Sequence, residues 1–155
     1  MHPSNDGDSF RVRCGDEEFQ LRLYFVDAPE ANLTYSERSR EQADYFGVSI
    51  DEALKAGTVA KEFVKDVLNG SFVVYTKNNT APGRGAGARY YGMIKVRGIG
   101  LDELLVREGL ARNKGATLNL PDGTKSRAHV QKLQELEDAA RKQRKGIWRT
   151  SKPRK

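Results

Sequence analysis

Two short stretches hold residue types that could do chemistry together. The first is Asp6-Gly7-Asp8-Ser9-Phe10. The second is Phe19-Gln20-Leu21-Arg22-Leu23-Tyr24-Phe25-Val26-Asp27-Ala28-Pro29-Glu30. The second is an apolar, strand-forming run with one arginine inside it. It ends in a carboxylate, a proline that stops the strand, and another carboxylate. Carboxylates gathered at a strand end can hold a hard cation, and a guanidinium beside them can grip phosphate oxygens bidentately. That set suits a metal-assisted reaction on a phosphate ester. Arg22 and Asp27 lie five positions apart, so on a straight strand their side chains face opposite sides. Bringing them together needs a bulge or bend near the strand end.

Each piece alone has a plainer explanation. Asp6-Gly7-Asp8 reads as a turn, Asp27-Ala28-Pro29-Glu30 as a capped strand exit, and Glu30 as an exposed loop carboxylate. Arg22 is different, because an arginine inside an apolar strand is costly unless paired. A structural ion pair with Asp27 or Glu30 is the plain account there. An EF-hand is excluded, since the repeated Asp/Asn spacing and the terminal Glu are missing. Zinc is disfavoured, because His2, His129 and Cys14 form no ligand spacing.

The elements that must position these residues follow from pattern. Residues 8–14 and 19–26 read as two strands joined by a turn at Gly15-Asp16-Glu17-Glu18. Residues 31–40 are polar loop, with a short helical piece around Arg38–Phe46. Ser49-Ile50-Asp51-Glu52 is a capping box, and helical spacing of Ile50, Ala53, Leu54, Ala60, Phe63, Val64, Val67 and Leu68 follows it to Asn69-Gly70. Residues 72–76 form a strand, 77–87 a Gly-rich loop, and Arg89–Val96 the next strand. Leu101–Glu108 is a short helix stopped by Gly109, and Pro121-Asp122-Gly123 is a turn in the loop 118–123. Ser126 to about Arg144 is a long helix with Val130, Leu133, Leu136 and Ala140 inward. Ile147 and Trp148 are expected to tuck back onto the body. This order suits an α+β domain.

At 155 residues and 17.4 kDa the chain fits one domain, read as residues 1–149 with a basic tail at 150–155. No apolar run is long enough to span a membrane. Met1-His2-Pro3-Ser4 has no apolar signal core, so either the protein stays inside the cell or a leader has been removed. One cysteine forbids an intramolecular disulfide. The net charge of +6 is unevenly spread. Residues 126–155 hold ten Lys/Arg against three Asp/Glu, whereas residues 1–53 hold five against twelve. The basic end reads either as a solvated helix face or as a long-range attractor for nucleic acid.

Asp6-Gly7-Asp8-Ser9-Phe10, then Leu21-Arg22-Leu23 with Val26-Asp27-Ala28-Pro29-Glu30, resembles the staphylococcal (micrococcal) nuclease family. Arg89, Leu104-Leu105-Val106-Arg107-Glu108-Gly109-Leu110-Ala111 and Gly146-Ile147-Trp148 continue the resemblance in order along nearly the whole chain. It implies a small five-stranded OB-type β-barrel with about three packed helices, a fold that often binds nucleic acid. The family usually has a full strand before Asp6, and five residues precede it here. A barrel opened on one side and a shortened form of the chain are both compatible with that.

The resemblance also implies roles. Asp8, Asp27 and the backbone carbonyl of Ala28 would ligate Ca2+, a cation that tolerates such mixed oxygen donors. Glu30 would activate a water for in-line attack on phosphorus. Arg22 and Arg89 would clamp the phosphate and meet the charge that gathers on its oxygens. Arg89 is placed by counting back from Leu105–Ala111, and Arg84 competes for the same role. The base-packing lysine and tyrosines of the family are replaced by Ala86-Gly87 and Asn113-Lys114-Gly115-Ala116. Tyr35, Tyr90 and Tyr91 are the available substitutes for stacking, and Lys77, Arg112 and Lys114 for phosphate contact.

The implied activity is a calcium-dependent endonuclease that hydrolyses DNA and RNA and leaves 3′-phosphates. The protein is expected to be a monomer with no membrane partner. Secretion or a periplasmic location is an expectation by resemblance alone. The alternative is a catalytically silent OB-type module that binds nucleic acid or a protein. The joint presence of Asp8, Arg22, Asp27, Glu30 and Arg89 favours the enzyme, since a silent module has no reason to keep all five. A structural ion-pair network explains Arg22 but not the ordered set.

Overall fold

The computed structural model describes residues 6–80 and 89–152. Strands β1 (Ser9–Cys14) and β2 (Glu17–Leu23) form an antiparallel hairpin that pairs Ser9 with Arg22 and Cys14 with Glu17, turning at Gly15-Asp16. The chain leaves this sheet at Tyr24-Phe25 and forms the two-residue strand β3 (Val26–Asp27). A short 3-10 turn at Leu33–Tyr35 leads into helix α1 (Ser36–Phe46), and helix α2 (Ile50–Val67) follows. The Ser49 side chain accepts from Glu52 N–H while Glu52 accepts from Ser49 N–H, so the sequence-predicted capping box starts α2.

Strand β4 (Val73–Thr80) runs antiparallel to β5 (Arg89–Val96), and β5 lies parallel to β2, with Gln20 opposite Arg89 and Arg22 opposite Tyr91. A turn at Arg97-Gly98 brings β6 (Ile99–Gly100) back onto β5. Helix α3 (Leu101–Arg107), strand β7 (Arg112–Asn113) and helix α4 (Ser126–Lys142) complete the order, and a 3-10 turn at Gly146–Arg149 follows. Phe10, Leu21, Leu23 and Ile94 from the sheet meet Leu101, Leu105 and Val106 of α3, Leu133 of α4 and Val64 of α2 in one core. No helix among the described residues is long and apolar enough to cross a membrane.

The α+β class is as expected, with two corrections. The resemblance implies a closed five-stranded barrel, whereas the described strands form an open sheet in the order β1-β2-β5-β4, with β6 on β5 and β3-β7 as a separate ladder. Closure needs the edges at β1 and β4 to meet, and no ladder among the described residues joins them. About three helices were expected, and four are described. The short helical piece expected around Arg38–Phe46 is the full eleven-residue helix α1, held by the burial of its inward stripe, Ser39, Gln42, Ala43 and Phe46. Strand β4 also outlasts its apolar run, since Thr80 regains a partner in Tyr90 after an irregularity in the ladder. Arg84, Ala86, Gly87 and most of the predicted loop 77–87 lie outside the described residues.

Candidate active site

The bend that Arg22 and Asp27 require sits at Phe25. Its φ is +74°, an unfavourable conformation for a bulky residue that the surroundings must enforce. Phe25 is buried, its N–H donates to Ala116 O at 2.8 Å, and its ring meets the His129 ring edge-on at 4.6 Å. His129 Nε2 in turn lies 2.6 Å from Asp102 Oδ2, so α3 and α4 together hold the bend. Beyond it, Val26 and Asp27 pair with Asn113 and Arg112 instead of continuing β2. Arg22 spans the bend by donating from Nη1 to Val26 O at 2.9 Å.

Helix α2 fixes the other two segments. Its buried face is Ala53, Ala56, Gly57, Ala60 and Val64, and the small residues let backbone approach closely. A Cβ on Gly57 would lie 2.2 Å from Glu30 O, and one on Gly7 would lie 2.8 Å from the Ala60 Cβ and 2.9 Å from the Ala28 Cβ. The Asp6–Asp8 turn and the Ala28–Glu30 segment therefore ride on α2, each seated where a side chain cannot fit. Asp8 Oδ2 accepts the Ala28 N–H at 2.7 Å and locks the two segments together.

The result is a dense ionic cluster. Arg22 Nη1 lies 3.1 Å from Asp8 Oδ2 and Arg22 Nη2 lies 3.6 Å from Asp27 Oδ1. Asp27 is 3% exposed and meets three arginines. Arg38 bonds its Oδ1, and Arg112 reaches Oδ2 from Nε and from Nη2 at 2.8 Å each. Arg38 Nε also lies 2.7 Å from Glu30 Oε1. Gln42 donates to Asp27 Oδ2 at 3.1 Å and to Ala28 O at 3.0 Å, and its own carbonyl accepts Glu30 N–H at 3.0 Å. Glu41 closes the outer side, bonding Arg112 through two contacts at 2.9 and 2.5 Å and Lys114 at 3.1 Å.

Burial lifts the Asp6 carboxyl well above the usual carboxylate range, and the Asp8 charge beside it lifts it further, with Glu30 adding to the effect. Asp8 ends below the usual range. Burial by itself would raise it, but the Arg22 guanidinium, the Asp6 hydrogen bond and the Ala28 N–H outweigh that.

Of the sequence-predicted residues, the structure brings together Asp8, Arg22, Asp27, Ala28 and Glu30. Arg89 reaches the residue next to Asp8: its Nη2 donates to the Ser9 hydroxyl at 2.8 Å, which also accepts from Gln20 at 3.1 Å. The donors proposed for a cation are all oxygens, of the kind a hard cation takes. Among the described residues, however, no three acidic, His or Cys side chains gather as a ready-made cage. The Asp27 oxygens face arginine instead.

Some expectations need adjustment. Tyr91 stacks on Tyr24 at 5.0 Å and Tyr90 meets Phe19 edge-on at 5.7 Å, so both strand tyrosines serve packing. Tyr35 is 41% exposed, three residues before Arg38. Arg112 was expected as a phosphate contact, yet it is 3% exposed and committed to Asp27 and Glu41. The Lys77 side chain and Arg84 lie outside the described residues. Sequence reasoning missed Arg38 and Gln42. The signal for Gln42 was its place on the inward stripe of α1, where an apolar residue is the ordinary choice. Beside the cluster opens a pocket of about 330 Å³, lined by Arg22, Asp27, Arg38, Glu41, Arg112, Lys114 and Gly115. Its cations outnumber its acids, which suits an anionic ligand.

The sequence model of a family described as staphylococcal nuclease homologue matches residues 20–150. No curated protein matches the chain.

Proposed function

The chain belongs to the staphylococcal nuclease homologue family, and we propose that it is a calcium-dependent endonuclease acting on DNA and RNA. The observation that carries this reading is the convergence of Asp8, Arg22, Asp27 and Glu30 on one buried corner beside a cationic pocket. Asp8, Asp27 and the Ala28 carbonyl are the proposed ligands of the cation, which supplies positive charge to polarise the phosphate when bound. Glu30 takes a proton from the attacking water as its oxygen bonds to phosphorus. The P–O5′ bond breaks, the departing oxygen takes a proton from solvent, and the phosphate stays on the 3′ side. Arg22 and Arg89 hold the non-bridging oxygens as charge builds there. The protein works as a monomer, residues 1–149 forming the nuclease domain with a basic tail at 150–155.

The test is cleavage of single-stranded DNA, duplex DNA and RNA with calcium, with magnesium and with chelator, followed by end-group analysis. Calcium-dependent products bearing 3′-phosphates support the reading. Absence of cleavage in every condition, with nucleic acid still bound, would replace it with the binding-module alternative.

A further inference from the structure

Arg38 occupies the position between Asp27 and Glu30, a proposed metal ligand and the proposed base. Resting on the nuclease reading above, we propose that Arg38 is a built-in counter-cation of the metal site. It neutralises these carboxylates when no metal is bound, yields them to the divalent cation, and turns into the adjoining pocket to meet the substrate phosphate.

Three observations single out Arg38 among the arginines at Asp27. Arg112 is fixed from several sides: its side chain is 3% exposed, it bonds Glu41 as well as Asp27, and it lies over the Tyr45 ring at 4.9 Å. Arg22 is 12% exposed and is pinned across the chain bend by Val26 O and Asp8. Arg38 is 31% exposed, and its ion pairs among the described residues are with Asp27 and Glu30 alone. Second, Arg38 stands in the first turn of α1, where the helix dipole disfavours a cation. The helix gains nothing from it there, so the two carboxylates are what hold it. Third, Arg38 already lines the pocket with Arg22 and Lys114, so a rotation about its own side chain exchanges carboxylates for an anion without moving backbone. Its removal leaves Asp27 still paired with Arg22 and Arg112.

The consequence is thermodynamic coupling. A cation that displaces Arg38 frees a guanidinium for phosphate, so metal and phosphate binding assist each other, and the assistance is reciprocal. The experiment is calorimetric titration of calcium into wild type, R38Q and R38K, alone and with a nucleoside 5′-monophosphate, which has no phosphodiester bond to cleave. R38Q is expected to bind calcium on the order of tenfold more tightly in the absence of nucleotide, and to lose the gain in nucleotide affinity that calcium gives the wild type. R38K retains charge but cannot fork across both carboxylates, so it should bind calcium several-fold more tightly than wild type. It carries the test if R38Q does not fold. Calcium affinity unchanged or weakened in the folded variants, with wild type binding calcium, would overturn the role of Arg38 and leave the nuclease reading standing. Failure of every protein to bind calcium would overturn both.

Discussion

Helix α1 is joined to the C-terminal half of the chain at two corners built from opposite materials. At its C-terminal end, Phe46 meets Trp148 at 4.8 Å between ring centroids, with Ala53, Ala56, Ala140 and Ile147 around them. Ser151 Oγ donates to Phe46 O and Lys152 N–H to Gly47 O, sealing the contact. Nearer its start, Arg38 and Gln42 meet Asp27, which also takes Arg112 from β7. The first corner is explained mainly by burial, because apolar area removed from water stabilises it in proportion to its size. The second is not. Buried ion pairs can often be exchanged for apolar side chains with no loss of stability, although removing one partner alone is costly. A fold that needed only to join α1 to β7 had the cheaper material in use one turn away. The concentration of charge at Asp27 therefore speaks for chemistry.

That contrast can be broken by substitution, and the largest effect should fall on activity. Glu30→Gln is expected to lower turnover by about 10²- to 10⁴-fold, while the thermal midpoint stays near wild type. Single-turnover rates beside a melting curve check both halves, and near-normal rates would remove Glu30 from the base role. Trp148→Ala should do the reverse. It should cost about 3–5 kcal/mol of stability in denaturant unfolding, with the folded fraction turning over at the wild-type rate. Arg112→Ala should cost a similar amount, because it leaves Asp27 and Glu41 with fewer partners in a buried setting. It should also slow cleavage, which separates it from Trp148→Ala. Gly57→Ala tests the seat of Glu30. Alanine favours a helix over glycine by about 1 kcal/mol, yet its Cβ would fall 2.2 Å from Glu30 O, so a net loss in both stability and turnover is expected. The smallest effect is Ser49→Ala, which removes a helix cap remote from the chemistry. It should cost about 1 kcal/mol and leave rates unchanged.

The parts of this protein that were legible in its sequence are those set by local chemistry. The Ser49–Glu52 box and the glycine after α3 marked helix ends, because capping depends on residues a few positions apart. The burial of Ile147 and Trp148 followed from their size and apolarity. Arg22 announced a pairing, since a guanidinium in an apolar strand must find a partner. The chain bend at Phe25 was required by the five-residue spacing to Asp27, but its cause was not readable. It depends on His129 and Asp102, which are far away in sequence and supply the ring and the 2.6 Å side-chain contact that hold a strained backbone. Arg38 was hidden for a related reason. Its partners come from β3 and the segment after it, and a charged residue in a polar stretch looks like an ordinary solvated face. The open sheet likewise depends on which edges meet, and a strand's sequence does not specify its neighbour.

The most direct measurement is to strip the protein with chelator and restore calcium in steps while following cleavage of single-stranded DNA by wild type and by Asp27→Asn. In wild type, activity should vanish with chelator and return with calcium, and the variant should need far more calcium or fail to recover. Cleavage that persists without metal, or an Asp27→Asn protein that recovers at the same calcium concentration as wild type, would contradict it.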